Sequence, residues 1–428
     1  MNNPLYHTAI AAYSGAVHLA ALCSRKPRLM VEGQKQTFDR LRHFRDTLAP
    51  DGFDVWFHAA SLGEFEQARP LIEALLEKSP ETKILVSFFS PSGYTVRENY
   101  DPRVAVVYLP FDSRKNVIRF LELAKPATAV FIKYEFWGNF LSELNRRGIE
   151  TYIISSIFRP GQIFFRPYGG MFRRMLRQFR HIFVQDNRSR DLLASIGLTN
   201  VTVAGDTRLD RVAAIRDKAR DIPQIDTFKA AAPDAFTLVV GSSWGKDEDV
   251  YFPWLRRHPE VRAIIAPHEF DSARLARMQQ ALGDDCMLYS DFERLYDSSP
   301  ESAAETSLRL KYLIIDCYGL LSSLYRYADA AYVGGGFGVG IHNINEAAVY
   351  GIPVVFGPNH GKFKEASDLI AAGGAFCVKN AEEADAVLGK LLADDAWRQR
   401  CGEAAGKYIS SGLGATRRIM KDIFNIDI

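Results

Sequence analysis

The feature that most constrains the fold is an alternation of short β-rich runs with longer helical segments. Between Phe53 and Asp206, the runs rich in β-branched and aromatic residues are FDVWFHAAS, TKILVSFFS, VAVVYLP, TAVFIKY, ETYIISS, HIFVQD and NVTVAGD. Such alternation is typical of a parallel β-sheet that is covered by helices. The sequence therefore predicts a doubly wound α/β domain in this part of the chain.

The alternation stops after this domain and then starts again. Residues 207–233 are polar, helical and poor in strand signals, and they are followed by FTLVVGSS, RAIIAPHE, YLIID, AAYVGGG and PVVFGPN. A chain of 428 residues is long enough to bury two cores. We predict two doubly wound Rossmann-like lobes, at 31–210 and 234–428, joined by a linker at 211–233.

The end of the chain and the strand ends complete this predicted organisation. Residues 381–428 carry helical signals throughout, and we expect the last helices to return to the first lobe. Ligands of open parallel sheets bind beyond the carboxyl ends of the strands. We therefore expect the two lobes to face each other across a cleft.

The first thirty residues predict a membrane-associated helix. Residues 5–23 contain no Asp, Glu, Lys or Arg, and the basic run SRKPR follows them. A signal peptide carries its positive charge before the apolar region. A spanning helix needs about twenty strongly apolar residues, whereas this segment includes His7, Ser14 and His18. We predict that residues 1–30 lie on an anionic lipid surface, with a spanning helix and an ordinary packed helix as alternatives.

A basic and aromatic segment at 158–180 supports a lipid partner. Its arginines alternate with aromatic residues, and no acidic residue lies between them. The formal net charge of +2 is too small to indicate a nucleic-acid partner, so we predict contact with anionic lipid. The alternative is an amphipathic helix with a solvated arginine face. The residues concerned are Arg159, Arg166, Arg173, Arg174, Arg177, Arg180, Phe158, Phe164, Phe165, Tyr168, Phe172 and Phe179.

Two acidic residues follow strands of the first predicted lobe. Glu64 lies in HAASLGEFE after the first strand, and Glu135 lies in KYEFW after the fourth. Carboxyl ends of parallel strands share one edge of a sheet, and neighbouring carboxylates raise each other's proton affinity, so the pair indicates acid–base chemistry. The alternatives are that Glu64 complements a helix dipole and that Glu135 caps a helix.

An arginine closes the first predicted lobe. Arg208 follows the last strand in the sequence GDTRLD. A guanidinium at this place fits a phosphate group. The alternative is an ion pair between Arg208 and Asp206 or Asp210.

The second lobe offers a glycine run for phosphate binding. GGGFGVG at 334–340 precedes HNINE at 342–346, and a glycine run that opens onto a helix N-terminus favours phosphate. The run matches neither GxGxxG nor a P-loop. His268 and His342 lack a second ligand at HxxxH or HExxH spacing, so we predict no metal site.

Three segments, in their order and spacing, resemble the bacterial 3-deoxy-D-manno-octulosonic acid (Kdo) transferases. They are HAASLGE, KYEFWGN, and GGG followed by HNINEAAVYGIPVVFGP. This family consists of GT-B glycosyltransferases that transfer Kdo from CMP-Kdo to the lipid A precursor. The resemblance covers almost the whole chain. It implies a GT-B enzyme of lipopolysaccharide biosynthesis at the cytoplasmic face of the inner membrane, with CMP-Kdo as donor and neither metal nor other cofactor.

The resemblance also implies roles for individual residues. Glu64 matches the base that activates the acceptor hydroxyl, and Glu135 and Arg208 match residues that support the transition state, which implies direct displacement with inversion. The segments that match CMP-binding positions comprise Pro267, His268, Tyr318, Gly319, Leu320, Asn343, Ile344, Asn345 and Glu346.

The chain departs from the family pattern at three places. Tyr318-Gly319-Leu320 stands where a Met-Gly-Glu type of sequence is typical, Ile344-Asn345 replaces Pro-Leu, and Arg208 stands where lysine is common. Two other functions remain as alternatives: a GT-B transferase or epimerase that uses a UDP-sugar, and a non-catalytic lipid-binding relative.

Overall fold

Two parallel sheets organise the protein in the computed structural model, which describes residues 3–219 and 221–428. Each sheet has seven strands, and every recorded strand pair is parallel. The prediction of two doubly wound α/β lobes is therefore confirmed. The chain divides into a first unit of Met1–Asp210 with Leu413–Ile428 and a second unit of Arg211–Gly412.

The first sheet has the strand order β3-β2-β1-β4-β5-β6-β7. The chain runs outward from β1 to β3 and then returns to the other side of β1. The carboxyl ends of β1 and β4 therefore lie side by side where the strand order reverses, which is the usual ligand position in such sheets. The strands are β1 Val55–Ala59, β2 Ile84–Phe88, β3 Val104–Tyr108, β4 Thr128–Ile132, β5 Glu150–Ser156, β6 His181–Val184 and β7 Val201–Val203.

Helices cover both faces of the first sheet. Alternate residues of β1 enter different cores: Trp56 packs with one cluster, and Val55 and Phe57 pack with the other. Burial on both faces explains why these strands read as continuous apolar runs. The helices are α1 Pro4–Cys23, α2 Arg25–Thr47, α3 Leu62–Lys78, α4 Pro91–Arg97, α5 Arg114–Ala124, α6 Gly138–Arg146, α7 Gly170–Leu176, α8 Asn187–Ala194 and α9 Thr207–Asp217, whose last residues belong to the second unit.

The second sheet has the strand order β10-β11-β9-β8-β12-β13-β14, so its reversal point lies between β8 and β12. Its two edge strands, β10 and β14, were absent from the sequence prediction, because their sequences CML and AFC contain no β-branched residue. The strands are β8 Thr237–Ser243, β9 Arg262–Pro267, β10 Cys286–Leu288, β11 Tyr312–Ile314, β12 Ala330–Val333, β13 Val354–Phe356 and β14 Ala375–Cys377.

Residues 381–428 are helical, as predicted, and the last helix belongs to the first unit. Ile419 and Met420 of this helix are fully buried in a core of the first sheet. The helices after α9 are α10 Pro223–Ala230, α11 Gly245–Arg257, α12 Ser272–Leu282, α13 Tyr289–Ser298, α14 Pro300–Ser307, α15 Leu321–Leu324, α16 Asn345–Ala348, α17 Lys364–Ala372, α18 Ala381–Ala393, α19 Asp395–Ser411 and α20 Ala415–Phe424.

Helix α1 exposes most of its apolar surface. Leu5, Leu19 and Leu22 are exposed, and Ala21 is its buried residue. The basic run that follows opens α2, and the guanidinium of Arg28 donates to the carbonyl oxygens of Ala21 and Leu22 at 3.1 and 3.2 Å. Among the described residues, no helix combines the length and apolarity that crossing a membrane requires.

The segment 158–180 is a loop with one short helix instead of a single amphipathic helix. Phe158, Phe164 and Phe179 are buried in the core of the first sheet, so the expectation that these aromatic residues settle in lipid is wrong. Arg173 donates to the carbonyl oxygen of Phe164 at 3.0 Å and stabilises the loop. The exposed arginines of the segment are Arg159, Arg166, Arg174, Arg177 and Arg180.

Candidate active site

Glu64 lies at the start of α3, directly after the carboxyl end of β1. Its Oε2 accepts a hydrogen bond from the backbone N–H of Ser61 at 3.1 Å, which is one half of a capping box. The helix-terminus interpretation therefore describes its geometry correctly. Catalysis and capping are compatible, because the cap holds the carboxylate in place at the strand edge.

Glu135 lies beyond the adjacent strand, β4, and contacts the rings of Trp137 and His58. Its Oε2 lies 3.0 Å from His58 Nε2 and accepts from Trp137 Nε1 at 2.7 Å. His58 is fully buried, and its Nδ1 lies 2.9 Å from the Ser87 hydroxyl. This hydroxyl in turn accepts from Trp56 Nε1 at 2.8 Å. The contacts of His58 and Trp137 hold the Glu135 carboxylate in one position. Supporting residues around a reactive group have this function.

The Glu135 carboxylate affects Glu64, as their positions at one sheet edge predict. Burial and, next, the charge of Glu135 raise the pKa of Glu64 to about 7, against the opposing effects of hydrogen bonds from Ala60 and Ser61 and of the Lys133 charge. A group with a pKa near the working pH is well suited to accept a proton in a reaction. Glu64 is therefore the better candidate for a base.

Lys133 turns the chain toward Glu135. It directly follows β4 with φ of 65°, a left-handed conformation that is uncommon outside glycine. Its N–H donates to the Ile154 carbonyl at 2.9 Å, and its carbonyl accepts from the Ser156 hydroxyl at 3.0 Å. Strand β5 thus holds a strained turn, and such strain concentrates at functional sites.

Arg208 pairs with Asp206, which was one of the alternatives that the sequence left open. The Arg208 Nε and Nη2 atoms lie 3.0 and 2.6 Å from Asp206 Oδ2. Burial opposes ionisation of Asp206, but Arg208 and a 3.3 Å hydrogen bond from Gln67 keep its pKa below the usual range. Gln67 lies one helical turn after Glu64 in α3. This chain of contacts links Arg208 to the helix that carries Glu64.

Three aromatic rings form a stack at the reversal point of the second sheet. Trp244 follows β8, and His268 follows β9; their ring centroids are 4.6 Å apart, and His342 stacks on His268 at 4.3 Å. Trp244 Nε1 donates to His342 Nε2 at 3.1 Å. Burial and, next, the neighbouring His268 lower the pKa of His342 to about 4. The stack is therefore uncharged at neutral pH, with the Nδ1 atom of His342 carrying its proton.

Asp247 connects the stack to the glycine run. This buried carboxylate accepts from the N–H groups of Trp244 and Gly335 at 2.8 and 2.9 Å. The glycines themselves permit close backbone packing, because a Cβ on Gly334 would meet the Ser242 carbonyl oxygen at 2.4 Å. The helix that follows the run, α16, has only four residues. The run therefore has a demonstrable packing function, independent of the predicted phosphate.

The predicted nucleotide segments lie in different environments. Pro267 ends β9, and Tyr318 is 78% exposed beside the Phe270 ring. Gly319 has φ of 96°, a conformation that favours glycine, and Leu320 precedes α15. Residues 343–346 form a tight turn into α16. The structure therefore gathers these residues within the second unit, while Glu64, Glu135 and Arg208 belong to the first.

Residues 343–346 include one buried amide without a partner. Asn343 donates to Glu346 at 2.9 Å, and Ile344 is buried immediately before α16. Asn345 is fully buried, and neither its Oδ1 nor its Nδ2 has a hydrogen-bond partner. Such an amide is costly unless a ligand or water completes its bonds.

Several site residues were not identified as such from the sequence. His58 reads as part of a buried strand, and Trp244 and Asp247 read as an ordinary helix start. Contacts with residues distant in sequence give them their roles, so no local signal distinguishes them. Among the described residues, no group of three or more His, Cys, Asp or Glu side chains is arranged to hold a metal ion.

Comparison with known proteins relates this geometry to a family. The family model of 3-deoxy-D-manno-octulosonic-acid transferase (kdotransferase) matches residues 28–211. A 3-deoxy-D-manno-octulosonic acid transferase of Bordetella pertussis is 28% identical over 87% of this chain and 87% of its own length. Over most of its length, the chain is similar to Kdo transferases, so the resemblance seen in its sequence is confirmed. A Kdo transferase of Haemophilus influenzae is 23% identical over 89% of each chain.

Two solved structures have a fold similar to that of this chain. A putative UDP-N-acetylglucosamine 2-epimerase of Listeria monocytogenes aligns with a TM-score of 0.58 at 13% identity, over 88% of this chain and 98% of its own. MurG of Acinetobacter baumannii aligns with a TM-score of 0.55 at 12% identity, over 87% and 99%. At these identities the likeness concerns the fold alone, and the predicted GT-B fold class is confirmed.

Proposed function

We propose that the protein transfers Kdo from CMP-Kdo to a hydroxyl of the lipid A precursor, with inversion at the anomeric carbon. One observation supports the proposal: in a chain that is similar to Kdo transferases, Glu64, with a pKa of about 7, lies beside Glu135 at the reversal point of the first sheet. The reaction belongs to lipopolysaccharide core biosynthesis and takes place at the cytoplasmic face of the inner membrane.

Glu64 acts as the base in the proposed reaction. An acceptor hydroxyl oxygen attacks the anomeric carbon of Kdo, its proton passes to Glu64, and the bond from that carbon to the phosphate oxygen of CMP breaks. The negative charge of Glu135 maintains the proton affinity of Glu64 during this step. Arg208 supplies positive charge that supports the transition state as CMP departs.

The second unit binds the donor in this proposal. The unpaired amide of Asn345 and the neutral Trp244–His268–His342 stack offer hydrogen bonds and a flat surface to a nucleotide. CMP is a good leaving group, so we propose that fixed positive charge and hydrogen bonds suffice and that neither metal nor other cofactor takes part.

The test is transfer by a Glu64→Gln variant. With CMP-Kdo and a tetraacylated, bisphosphorylated lipid A precursor, we expect the wild type to release CMP and to add Kdo to the lipid, as measured by mass spectrometry. Glu64→Gln should retain CMP-Kdo binding and lose at least 100-fold in turnover, in the range of general-base catalysis, about 10²–10⁴. Glu66→Gln, two residues further along α3, is the matched control and should remain active. Substantial transfer by Glu64→Gln contradicts the assignment.

The same assay separates the alternatives. A nucleotide panel read by thermal shift should show stabilisation by cytidine nucleotides and not by uridine nucleotides. Stabilisation by UDP-sugars instead would support the alternative donor. Failure of the wild type to release CMP would support a non-catalytic relative.

A further inference from the structure

The first unit contains a cavity that the proposed reaction does not use. Helices α1 and α2 and the loop into α5 line a solvent-open cavity of about 660 Å³, which lies within the usual range of small-ligand sites, roughly 300–1,000 Å³. Its lining combines cationic, polar and apolar side chains: His7, Ile10, Ala11, Ser14, His18, Val31, Gln34, Lys35, Phe38, Pro110, Phe111, Ser113, Arg114 and Asn116.

The charge of the cavity favours an anion. Lys35 and Arg114 both line it, and no carboxylate does. Neither residue makes an ion pair with any part of the chain that the structure describes. Helix α5 begins at Arg114 and has no acidic residue in its first turn, so its dipole adds to the positive potential.

A buried amide in the cavity wall lacks a partner. Gln34 is only 9% exposed, and its Nε2 has no hydrogen-bond acceptor. Leaving a buried donor unsatisfied costs about 1–3 kcal/mol. An oxyanion bound between Lys35 and Arg114 would supply the acceptor that this amide lacks.

The apolar side of the cavity leads toward the carboxylates. The Phe111 ring lies 5.9 Å from Tyr13 and 6.0 Å from Phe89. Phe89 lies 4.6 Å from Trp137, which donates to Glu135. A ligand that extends from the cavity along these rings therefore approaches the candidate base, and its anionic and apolar parts both meet complementary surface.

We propose that this cavity binds a phosphate monoester of the acceptor lipid, with Lys35 and Arg114 pairing with its oxygens and Gln34 donating a hydrogen bond. The site is thus a determinant of acceptor specificity. Its assignment to the acceptor rests on the proposed function, whereas its affinity for a lipid phosphate is independent of catalysis.

A binding experiment tests the site without turnover. Calorimetry would compare three probes: dihexanoyl phosphatidic acid, dihexanoylglycerol and inorganic phosphate. The wild type should bind the phosphatidic acid most tightly, and the double variant Lys35→Gln/Arg114→Gln should bind it at least tenfold more weakly. Arg42→Gln/Lys115→Gln is the control, because it removes two exposed charges from the same helices outside the cavity and should bind as the wild type does.

Three results of that experiment would overturn the proposal. Equal affinity of the double variant and the wild type excludes these residues as ligands. Equal affinity for dihexanoylglycerol excludes a role of the phosphate, and equal affinity for inorganic phosphate makes the cavity a free-phosphate site. Circular dichroism of the variants verifies that they remain folded.

Turnover then tests whether the phosphate belongs to the acceptor. For a phosphorylated acceptor, Lys35→Gln/Arg114→Gln should raise KM at least tenfold and leave kcat and the KM of CMP-Kdo unchanged. For an enzymatically dephosphorylated acceptor, the variant and the wild type should have the same KM. An unchanged acceptor KM contradicts the acceptor assignment. A wild type that transfers no Kdo at all contradicts the proposed function and leaves the binding result intact.

Discussion

At the scale of single residues, the candidate site depends on how burial and a neighbouring charge set the pKa of Glu64. Glu64 has a raised pKa because water is partly excluded and because Glu135 is near. Glu135, in turn, accepts a hydrogen bond from Trp137 Nε1 and lies 3.0 Å from His58 Nε2. Both carboxylates were predictable from the sequence, since each follows a strand of one parallel sheet. The supporting histidine was not, because a buried His inside a strand has no distinctive pattern.

The pH dependence of turnover follows from the Glu64 pKa. A base must be ionised, so activity should rise with pH through a midpoint near 7, where the pKa of Glu64 lies. Glu135→Gln removes the neighbouring negative charge, which lowers the pKa of Glu64 and moves the midpoint to lower pH. The profile of kcat/KM for the acceptor measures both midpoints. A midpoint that stays in place or rises would show that Glu64 is not the titrating base.

The hydrogen bond within the ring stack should contribute to donor affinity. Trp244→Phe keeps a ring beside His268 but removes the N–H that orients His342. The loss of one hydrogen bond, about 0.5–1.5 kcal/mol, corresponds to roughly two- to tenfold weaker CMP-Kdo binding by calorimetry. Trp397→Phe is the control in the same unit and should leave donor affinity unchanged. Wild-type donor affinity of the Trp244→Phe variant would show that this hydrogen bond does not contribute to donor binding.

At the scale of elements, α1 is bonded into the loop that carries Glu135. The Tyr6 hydroxyl donates to the buried Asp112 at 2.5 Å and accepts from the Gly138 N–H at 2.9 Å. Asp112 also accepts from the N–H groups of Asn139 and Phe140, both at 2.9 Å, and so caps α6. Burial raises the pKa of Asp112 to about 6. The helix expected at the membrane is therefore also part of the support of the candidate site.

Removal of the Tyr6 hydroxyl tests this support. Tyr6→Phe leaves Asp112 and the Gly138 N–H with one partner fewer, at a cost of about 1–3 kcal/mol. We expect a lower kcat and an unchanged KM for CMP-Kdo, measured with acceptor in detergent so that membrane attachment does not matter. Tyr168→Phe, at an exposed position of the first unit, is the control and should be close to wild type. Equal kcat of the two variants would contradict the positioning function.

The central strands were easier to predict from the sequence than the edge strands or the segment 158–180. The central strands were predictable because burial on both faces requires an apolar run, as in β4. Strands β10 and β14 lie at sheet edges and contain no β-branched residue, so their sequences do not distinguish them from loops. The segment 158–180 was misjudged because its phenylalanines fill a core that the local sequence does not specify.

At the scale of the whole molecule, the first unit is assembled from both ends of the chain. Asp210 accepts from the N–H groups of Gly414 and Thr416, both at 2.6 Å, and fixes the start of α20. Ile419 and Met420 then fill the core beneath the first sheet. The stability of the first unit therefore depends on residues that follow the entire second unit in sequence.

Truncation of one buried side chain in α20 should destabilise the first unit. Ile419→Ala leaves a cavity in a closed core, and the expected loss of unfolding free energy is about 2–5 kcal/mol. Chemical denaturation followed by tryptophan fluorescence measures it. Lys421→Ala, an exposed position of the same helix, should change the stability by about 0.5 kcal/mol or less. Similar effects of the two substitutions would show that α20 contributes little to this core.

The position of α20 has a consequence for synthesis of the protein. Ribosomes synthesise a chain from its N-terminus. All seven strands of the first sheet are therefore made more than two hundred residues before Ile419 and Met420 emerge. Until then, the part of the sheet's apolar face that these two residues cover stays exposed, whereas earlier helices such as α3 already cover the rest of it. A chain that terminates early therefore lacks a complete first unit, and the nascent protein presents this face to chaperones until its last residues are made.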